Sequence, residues 1–374
     1  MVKFTRREAL KLIVAGAATA ALAPLLHARA HYPTTETLPP QPGDSSGDTG
    51  AAHTLSATAR WTWMGRAIYR VTFYAEPATS SERLTTRNRD AGFQLLKRVR
   101  APYSAHNDLW YQTPLGYVPS AWVLPVRVYP PQPFISDVGQ WGFWGQLSQL
   151  YSAARTAPQP QAAQKYRLIG GTVYHVVDAV QDAAGTGWYK IVDDYPPRQI
   201  NYEWVLARDL RRIPRAETSP IHPFIGNKRI EADLTAQRLT CYEGDTLTYT
   251  TLFASGMAGA ETATGRGEKY VLLKQASRHM SDHPYPDMPV EEAEHATATF
   301  DLPGIPWNIF FDLDGTAIHG TYWHNDFGVR RSHGCLNVPI EAARWIYRWV
   351  HPIGGYEDSF IRSDHHVGTP ISIF

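Results

Sequence analysis

One pattern that occurs twice constrains this chain more than any other feature. Leu109-Trp110-Tyr111-Gln112 leads to Gly116-Tyr117-Val118-Pro119-Ser120-Ala121-Trp122-Val123-Leu124. Further on, Gly187-Trp188-Tyr189-Lys190-Ile191 leads to Tyr202-Glu203-Trp204-Val205-Leu206. The offset is 78 residues at Trp110/Trp188 and 82 at Trp122/Trp204. Each copy reads as a short strand, a turn and an aromatic–Val strand, with β-branched and aromatic stretches upstream at Ala67–Thr72 and Thr172–Val177. Short strands at this spacing predict small β-barrels. An aromatic content of 12% suits that reading, because aromatic residues favour strands.

The start of the chain reads as an address. Arg6-Arg7 precede an apolar run from Leu12 to Leu26, and Ala28-Arg29-Ala30 follows as a small-x-small cleavage pattern. The run is short of the ~20 residues that span hydrocarbon. Residues 1–30 resemble a twin-arginine export signal, and the expected location is outside the cytoplasmic membrane, in the cell wall, with an uncleaved anchor as the alternative. Residues 31–57, rich in Pro, Thr, Gly and Ser, read as a flexible tether. A net charge of +1 gives no basic footprint and excludes nucleic acid as the expected partner. A helix is expected over Val138–Ala154, then a Pro/Ala/Gln run, and Pro214–Pro223 reads as a join to a last domain.

That domain opens with an expected hairpin, Arg229–Leu234 and Gln237–Tyr242, followed by Thr246–Leu252. Leu239 and Cys241 share parity, which places Cys241 on the core face. Trp307–Leu313 and Pro370–Phe374 read as further strands, and Pro339–Val350 as a helix with Ala342, Ile346, Trp349 and Val350 on one face. Between them lie His319-Gly320 and Arg331-Ser332-His333-Gly334-Cys335-Leu336-Asn337, with Cys335 16 residues after His319.

These residue types suit nucleophilic catalysis. A thiolate is a strong nucleophile, but a free thiol has a pKa near ~8.5 and needs a base. His319 can take the Cys335 proton. Gly334 allows close backbone approach, and the amides of His333, Gly334 and Cys335 can form an oxyanion hole. The helix beginning near Pro339 is expected to favour the thiolate. His333 is either a second catalytic imidazole or a donor that fixes the loop. Arg330 or Arg331 can hold a peptide carboxylate, Ser332 and Asn337 are candidate substrate contacts, and Tyr322 and Trp323 wall the cleft or pack. A Cys241–Cys335 disulfide is the bland alternative for Cys335. Zinc on His319, His324, His333 and Cys335 matches no common spacing, so no metal and no cofactor is expected.

The His319-Gly320 and Ser332-His333-Gly334-Cys335-Leu336-Asn337 motifs resemble the signature of the L,D-transpeptidase (YkuD) family. Lys228–Leu234 with Gln237-Arg238-Leu239 resembles the first hairpin of its catalytic domain, and Thr262-Ala263-Thr264-Gly265 its Thr-Pro-Thr-Gly, with Ala263 in place of Pro. The resemblance covers residues 227–374. It implies an exported peptidoglycan enzyme whose Cys335 forms a thioester on a tetrapeptide stem, releases D-Ala and passes the acyl group to an amine, giving a 3→3 cross-link. Water as acceptor would make it an L,D-carboxypeptidase, and a non-catalytic wall-binding protein is the alternative from another class. The resemblance also implies a Gly320 carbonyl that orients His319, and carbapenem β-lactams as inhibitors. The repeated pattern resembles bacterial SH3-like modules, which implies wall glycan or peptide as a further partner. The expected fold class is mainly β: two SH3-like barrels (58–130 and 165–214), a helical, Pro-rich connector (131–164) between them, and a YkuD-like domain with a helix after the Cys motif.

Overall fold

The computed structural model describes residues 35–37, 61–195, 199–259, 262–281, 300–363 and 367–374. The expected export signal lies outside the described residues. Of the expected tether, Thr35–Thr37 is described. It is a short strand paired antiparallel with Lys97–Arg100, so the chain is held there by ladder hydrogen bonds.

The protein is mainly β, with one α-helix, Ile340–Trp349, among the described residues. The first repeat lies in a six-stranded sheet and a three-stranded sheet. In the first, Leu109–Thr113 and Gly116–Pro119 form a hairpin; in the second, Thr62–Ala67 pairs with Val123–Val128. Phe73, Phe93, Tyr111, Val118 and Val123 fill the core they share. The second repeat is part of a seven-stranded sheet in which Gly187–Tyr195 pairs with Gln199–Leu206. Both repeats continue through a short 3-10 turn, Ser120–Trp122 and Ala207–Asp209, into a final strand. Trp110 and Trp188 are both buried core residues.

The helix expected over Val138–Ala154 does not form. Phe143–Leu147 and Tyr151–Arg155 are strands of the seven-stranded sheet, so the expected connector is part of the second β body. Glycine decides this. Gly139 and Gly142 adopt φ of +69° and +64°, and a Cβ at Gly142 would lie 2.0 Å from the Val176 carbonyl oxygen.

The C-terminal domain stacks two five-stranded sheets. One carries Lys228–Asp233, Arg238–Glu243, Thr246–Leu252, Gly267–Tyr270 and Pro370–Ile373; the other carries Leu273–Ser281, Asp301–Phe310, Ala317–Gly320, Leu336–Val338 and Ile361–Arg362. Cys241 is buried in their core and is a free thiol. The helix packs Ala342, Ala343, Ile346 and Trp349 into the same core. Two buried lysines cap its C-terminal end. Lys228 Nζ donates to Trp349 O at 2.7 Å, and Lys274 Nζ donates to Tyr347 O at 3.0 Å.

The core of this domain takes in residues from before the Pro214–Pro223 join. Trp144, Val173 and Ile213 belong to its core. His279 is clamped between Asp193 of the seven-stranded sheet at 2.8 Å and Asp301 at 2.6 Å. Burial disfavours the imidazolium, but hydrogen bonds to Asp193 and Asp301 outweigh it and lift the pKa to about 9. Stability from this clamp is full below the unfolded value of about 6.5 and is lost as pH rises through about 9. Lys274, pushed down to about 7 by burial, slopes the opposite way between 7 and 10.5, so the clamp is read as a difference. The melting-temperature gap between wild type and His279→Gln is expected to reach several degrees below pH 6.5 and to narrow through pH 9. A gap independent of pH would contradict the charged clamp.

Candidate active site

The strands Ala317–Gly320 and Leu336–Val338 run parallel, with Ile318 opposite Leu336 and His319 opposite Asn337. Side chains alternate along a strand, and residues opposite one another share a face. Cys335 lies in the bend just before the second strand, two residues from Asn337 and at the same parity as the residue opposite His319.

His319 is buried, with Nδ1 3.1 Å from the Gly320 carbonyl oxygen. A carbonyl only accepts, so Nδ1 carries the proton and Nε2 keeps the lone pair of a base. Burial pushes the imidazole down to about 4, partly offset by that carbonyl. Gly320 has no room for a side chain, since a Cβ would lie 2.9 Å from Pro306 Cγ and 3.1 Å from Ile340 Cα.

Cys335 is a free, partly exposed residue. Desolvation of its thiol pushes the pKa up to about 11; a backbone hydrogen bond from Ala317 opposes the shift and the Asp314 charge adds to it. This corrects the expected helix effect. The helix begins at Ile340, so the strand Leu336–Val338 separates Cys335 from its N-terminus, and the dipole fades within a turn. At neutral pH the pair rests as thiol and neutral imidazole. Iodoacetamide labelling of Cys335 is expected to rise steadily toward pH 11, with no thiolate plateau near neutrality. A plateau at pH 6–8 would indicate a stable thiolate–imidazolium pair.

The loop before the cysteine is fixed by its own backbone. Ser332 Oγ donates to Cys335 O at 2.5 Å and accepts from Gly334 N at 3.2 Å. Gly334 has φ +127°, a conformation reserved for glycine. Thr264 Oγ1 donates to Gly334 O at 2.7 Å and accepts from Gly256 N at 2.9 Å. Ser255 and Met257 bond Arg331 and Ser332 through the backbone. Thr264→Val removes both buried bonds and is expected to cost about 1–3 kcal/mol in urea unfolding. Unchanged stability would show that Thr264 is not a clamp.

The remaining predicted contacts have other partners. Ser332 and Asn337 are buried; the Asn337 carboxamide meets His324 Nε2 at 3.0 Å, so neither side chain is presented to a substrate. Burial, with Arg331 nearby, pushes His324 down to about 3. Tyr322 packs in a core with Ile68, Leu124, Val126 and Ile305 and donates its hydroxyl to Pro303 O at 2.9 Å, rather than walling a cleft. Trp323 lies beside His319, with ring centroids 5.6 Å apart. Arg331 is engaged by Asp326, with Nε 2.9 Å from Oδ2, instead of standing free for a carboxylate, whereas Arg330 is exposed. His333 is exposed beside Phe300, 5.6 Å between centroids.

Sequence reasoning missed Asp326. It is buried, bonds Arg331 on one side and receives His106 Nε2 at 2.9 Å on the other, joining the first β body to the Cys335 loop. The hydrogen bonds from Arg331 and His106 outweigh burial and hold its carboxyl below the usual range. The polar run His324-Asn325-Asp326 beside the motif was the available signal.

By sequence, residues 227–373 match the family model described as YkuD, L,D-transpeptidase catalytic domain. No curated protein matches the chain. Similar solved structures include the L,D-transpeptidase (Yku) from Stackebrandtia nassauensis, 20% identical over 40% of this chain and 55% of that one, TM-score 0.26. The catalytic domain of the E. faecium L,D-transpeptidase is 20% identical over 40% of this chain and 99% of that one, TM-score 0.28. An L,D-transpeptidase from Mycobacterium smegmatis is 16% identical over 54% and 90%, TM-score 0.30. This chain thus spans about half the length of the Stackebrandtia structure. Residues 227–373 are an L,D-transpeptidase catalytic domain of the YkuD family.

Proposed function

We propose that the protein is an exported peptidoglycan L,D-transpeptidase that forms 3→3 cross-links through a Cys335 thioester. The observation that carries this reading is the parallel strand pair that sets His319 opposite Asn337, two residues after Cys335, with Gly320 O fixing His319 as a base at Nε2. Cys335 Sγ attacks the carbonyl carbon of the third residue of a tetrapeptide stem while His319 Nε2 takes the thiol proton. The Gly334 amide is already bonded to Ser332, so the amides of His333 and Cys335 are the donors assigned to the oxyanion. The tetrahedral adduct collapses, His319 returns the proton to the leaving amine, and D-Ala departs. A side-chain amine of a neighbouring stem then attacks the thioester, His319 takes its proton, and the amide forms with the thiol regenerated. No cofactor enters these steps.

A strained β-lactam carbonyl offers the same electrophile, and carbapenems are the proposed inhibitors; one solved L,D-transpeptidase was captured with imipenem. The two repeats, each ending in hairpin, 3-10 turn and strand, support SH3-like modules that contact wall glycan or peptide. Incubation with a disaccharide-tetrapeptide and mass analysis of the products tests the reaction. The expected result is a dimer lighter than two monomers by one D-Ala. A tripeptide monomer alone would mean water is the acceptor, and unchanged substrate would count against catalysis.

A further inference from the structure

The segment His324-Asn325-Asp326 is seated on the first β body. Asn325 Nδ2 donates to Val123 O at 3.0 Å and to Ser120 O at 3.2 Å. His106 Nε2 lies 2.9 Å from Asp326 Oδ1; a carboxylate only accepts, so that nitrogen carries the proton. The approach is close, since a Cβ at Gly328 would lie 3.3 Å from His106 Cβ. We propose that Asp326 is a positioning residue for acyl transfer, through which the first β body holds the Cys335 turn and the His319 strand in register. The proposal rests on the catalytic reading of Cys335 and His319.

Two arms leave Asp326. Along the first, Arg331 Nε donates to Asp326 Oδ2 at 2.9 Å, and Arg331 Nη2 bonds the same oxygen. The amides of Arg331 and Ser332 donate to Ser255 O at 2.9 and 3.0 Å, and Ser332 Oγ donates to Cys335 O at 2.5 Å. Along the second, Asp326 N donates to His324 Nδ1 at 3.4 Å, and the Asn337 carboxamide meets His324 Nε2 at 3.0 Å. Asn337 is the residue opposite His319 across the parallel strands. Asp326 and His324 are 4% and 7% exposed, so a lost partner leaves a buried polar group unsatisfied. A staple between domains needs only the bond to His106. Asp326 also commits its second oxygen to the residue before Ser332 and its amide to the imidazole behind Asn337. One buried residue thus touches the supports of both the nucleophile and the base, where a shift of about 1 Å can cost roughly 10²-fold in rate.

Two reactions of Cys335 in the full-length protein test this. Imipenem acylation, followed by intact mass, needs thiol, base and oxyanion donors in register, whereas iodoacetamide alkylation at pH 8 needs only an accessible thiolate. In Asp326→Asn the amide offers one acceptor oxygen, so the bridge between His106 and Arg331 is broken. This variant is expected to lower the limiting rate of acylation tenfold or more, while the half-saturating imipenem concentration changes less than threefold. Its Cys335 is expected to be alkylated severalfold faster, because a loosened turn hydrates a thiol that burial holds protonated. Cys241, buried in the core, should stay unlabelled, which separates a loosened turn from an unfolded domain. His106→Ala is expected to slow acylation severalfold, and to add less than twofold in the Asp326→Asn background, because it acts through Asp326. Wild-type acylation and alkylation in Asp326→Asn, or fully additive losses in the double variant, would overturn the proposal. So would Cys241 labelling in step with Cys335, which marks a purely structural role. A wild-type protein that takes up no imipenem would strike the catalytic reading instead, and the alkylation rates would still decide whether Asp326 holds the Cys335 turn.

Discussion

Cys335→Ala is expected to lower acyl transfer by roughly 10³-fold or more, because a nucleophile and its base act as a unit. Cys241→Ser is expected to retain activity and lose stability, since Cys241 is buried in the core and its thiol is pushed well up by burial. His319→Ala is expected to slow acylation by roughly 10²-fold or more, the scale of general-base catalysis. The wild-type rate should be level across neutral pH and fall as pH drops through about 4, where His319 gains a proton and stops accepting one. A rate that instead climbs toward pH 11 with the Cys335 thiol would mean that free thiolate attacks without His319. Equal loss of activity in folded Cys335→Ala and Cys241→Ser samples would assign the two cysteines to a shared site and contradict the account.

Truncation before Asn227 is expected to destroy the fold of the catalytic domain, the largest stability effect foreseen. Trp144, Val173 and Ile213 are buried in its core, and each such side chain contributes about 1.5–3 kcal/mol. Removing them exposes the apolar surface they cover. Several polar links go as well. Trp144 Nε1 donates to Tyr356 O at 2.9 Å, Arg66 donates to Tyr322 O at 2.7 Å, and Asn325 Nδ2 donates to Val123 O at 3.0 Å. Arg344 would lose Glu217, and His279 would lose Asp193. The sum rivals the 5–15 kcal/mol that a domain has in total. Circular dichroism and melting of the 227–374 fragment check this. A fragment that melts within a few degrees of the full chain and is acylated at the same rate would show that the N-terminal bodies are appendages.

Local order was legible wherever one element buries one face. Lys228–Asp233 alternates buried and partly buried side chains as its pattern foretold, and the helix buries Ala342, Ile346 and Trp349 as the spacing required. The twice-occurring aromatic pattern corresponds to hairpins with equivalent turns. Apolar spacing over Val138–Ala154 misled because three glycines there, at 139, 142 and 145, matter more than the stripe. At the site, the motif indicated the residue types, and the His319 tautomer follows from an adjacent carbonyl. The ion pair of Arg331 was not legible for another reason. Its partner Asp326 is close in sequence, but the His106 that completes the link lies in another β body. Tyr322 likewise packs with Ile68, Leu124 and Val126, which lie 254, 198 and 196 positions upstream. The thiol pKa was misjudged because the turn that carries Cys335 enters a strand first and the helix only afterwards.

Intact-mass analysis after exposure to a carbapenem, followed by peptide mapping, tests the central claim that Cys335 is the nucleophile. The account predicts one drug-sized adduct, on the peptide carrying Ser332-His333-Gly334-Cys335, absent from Cys335→Ala and slowed in His319→Ala. An adduct that survives Cys335→Ala, or one that maps to Cys241, would contradict it.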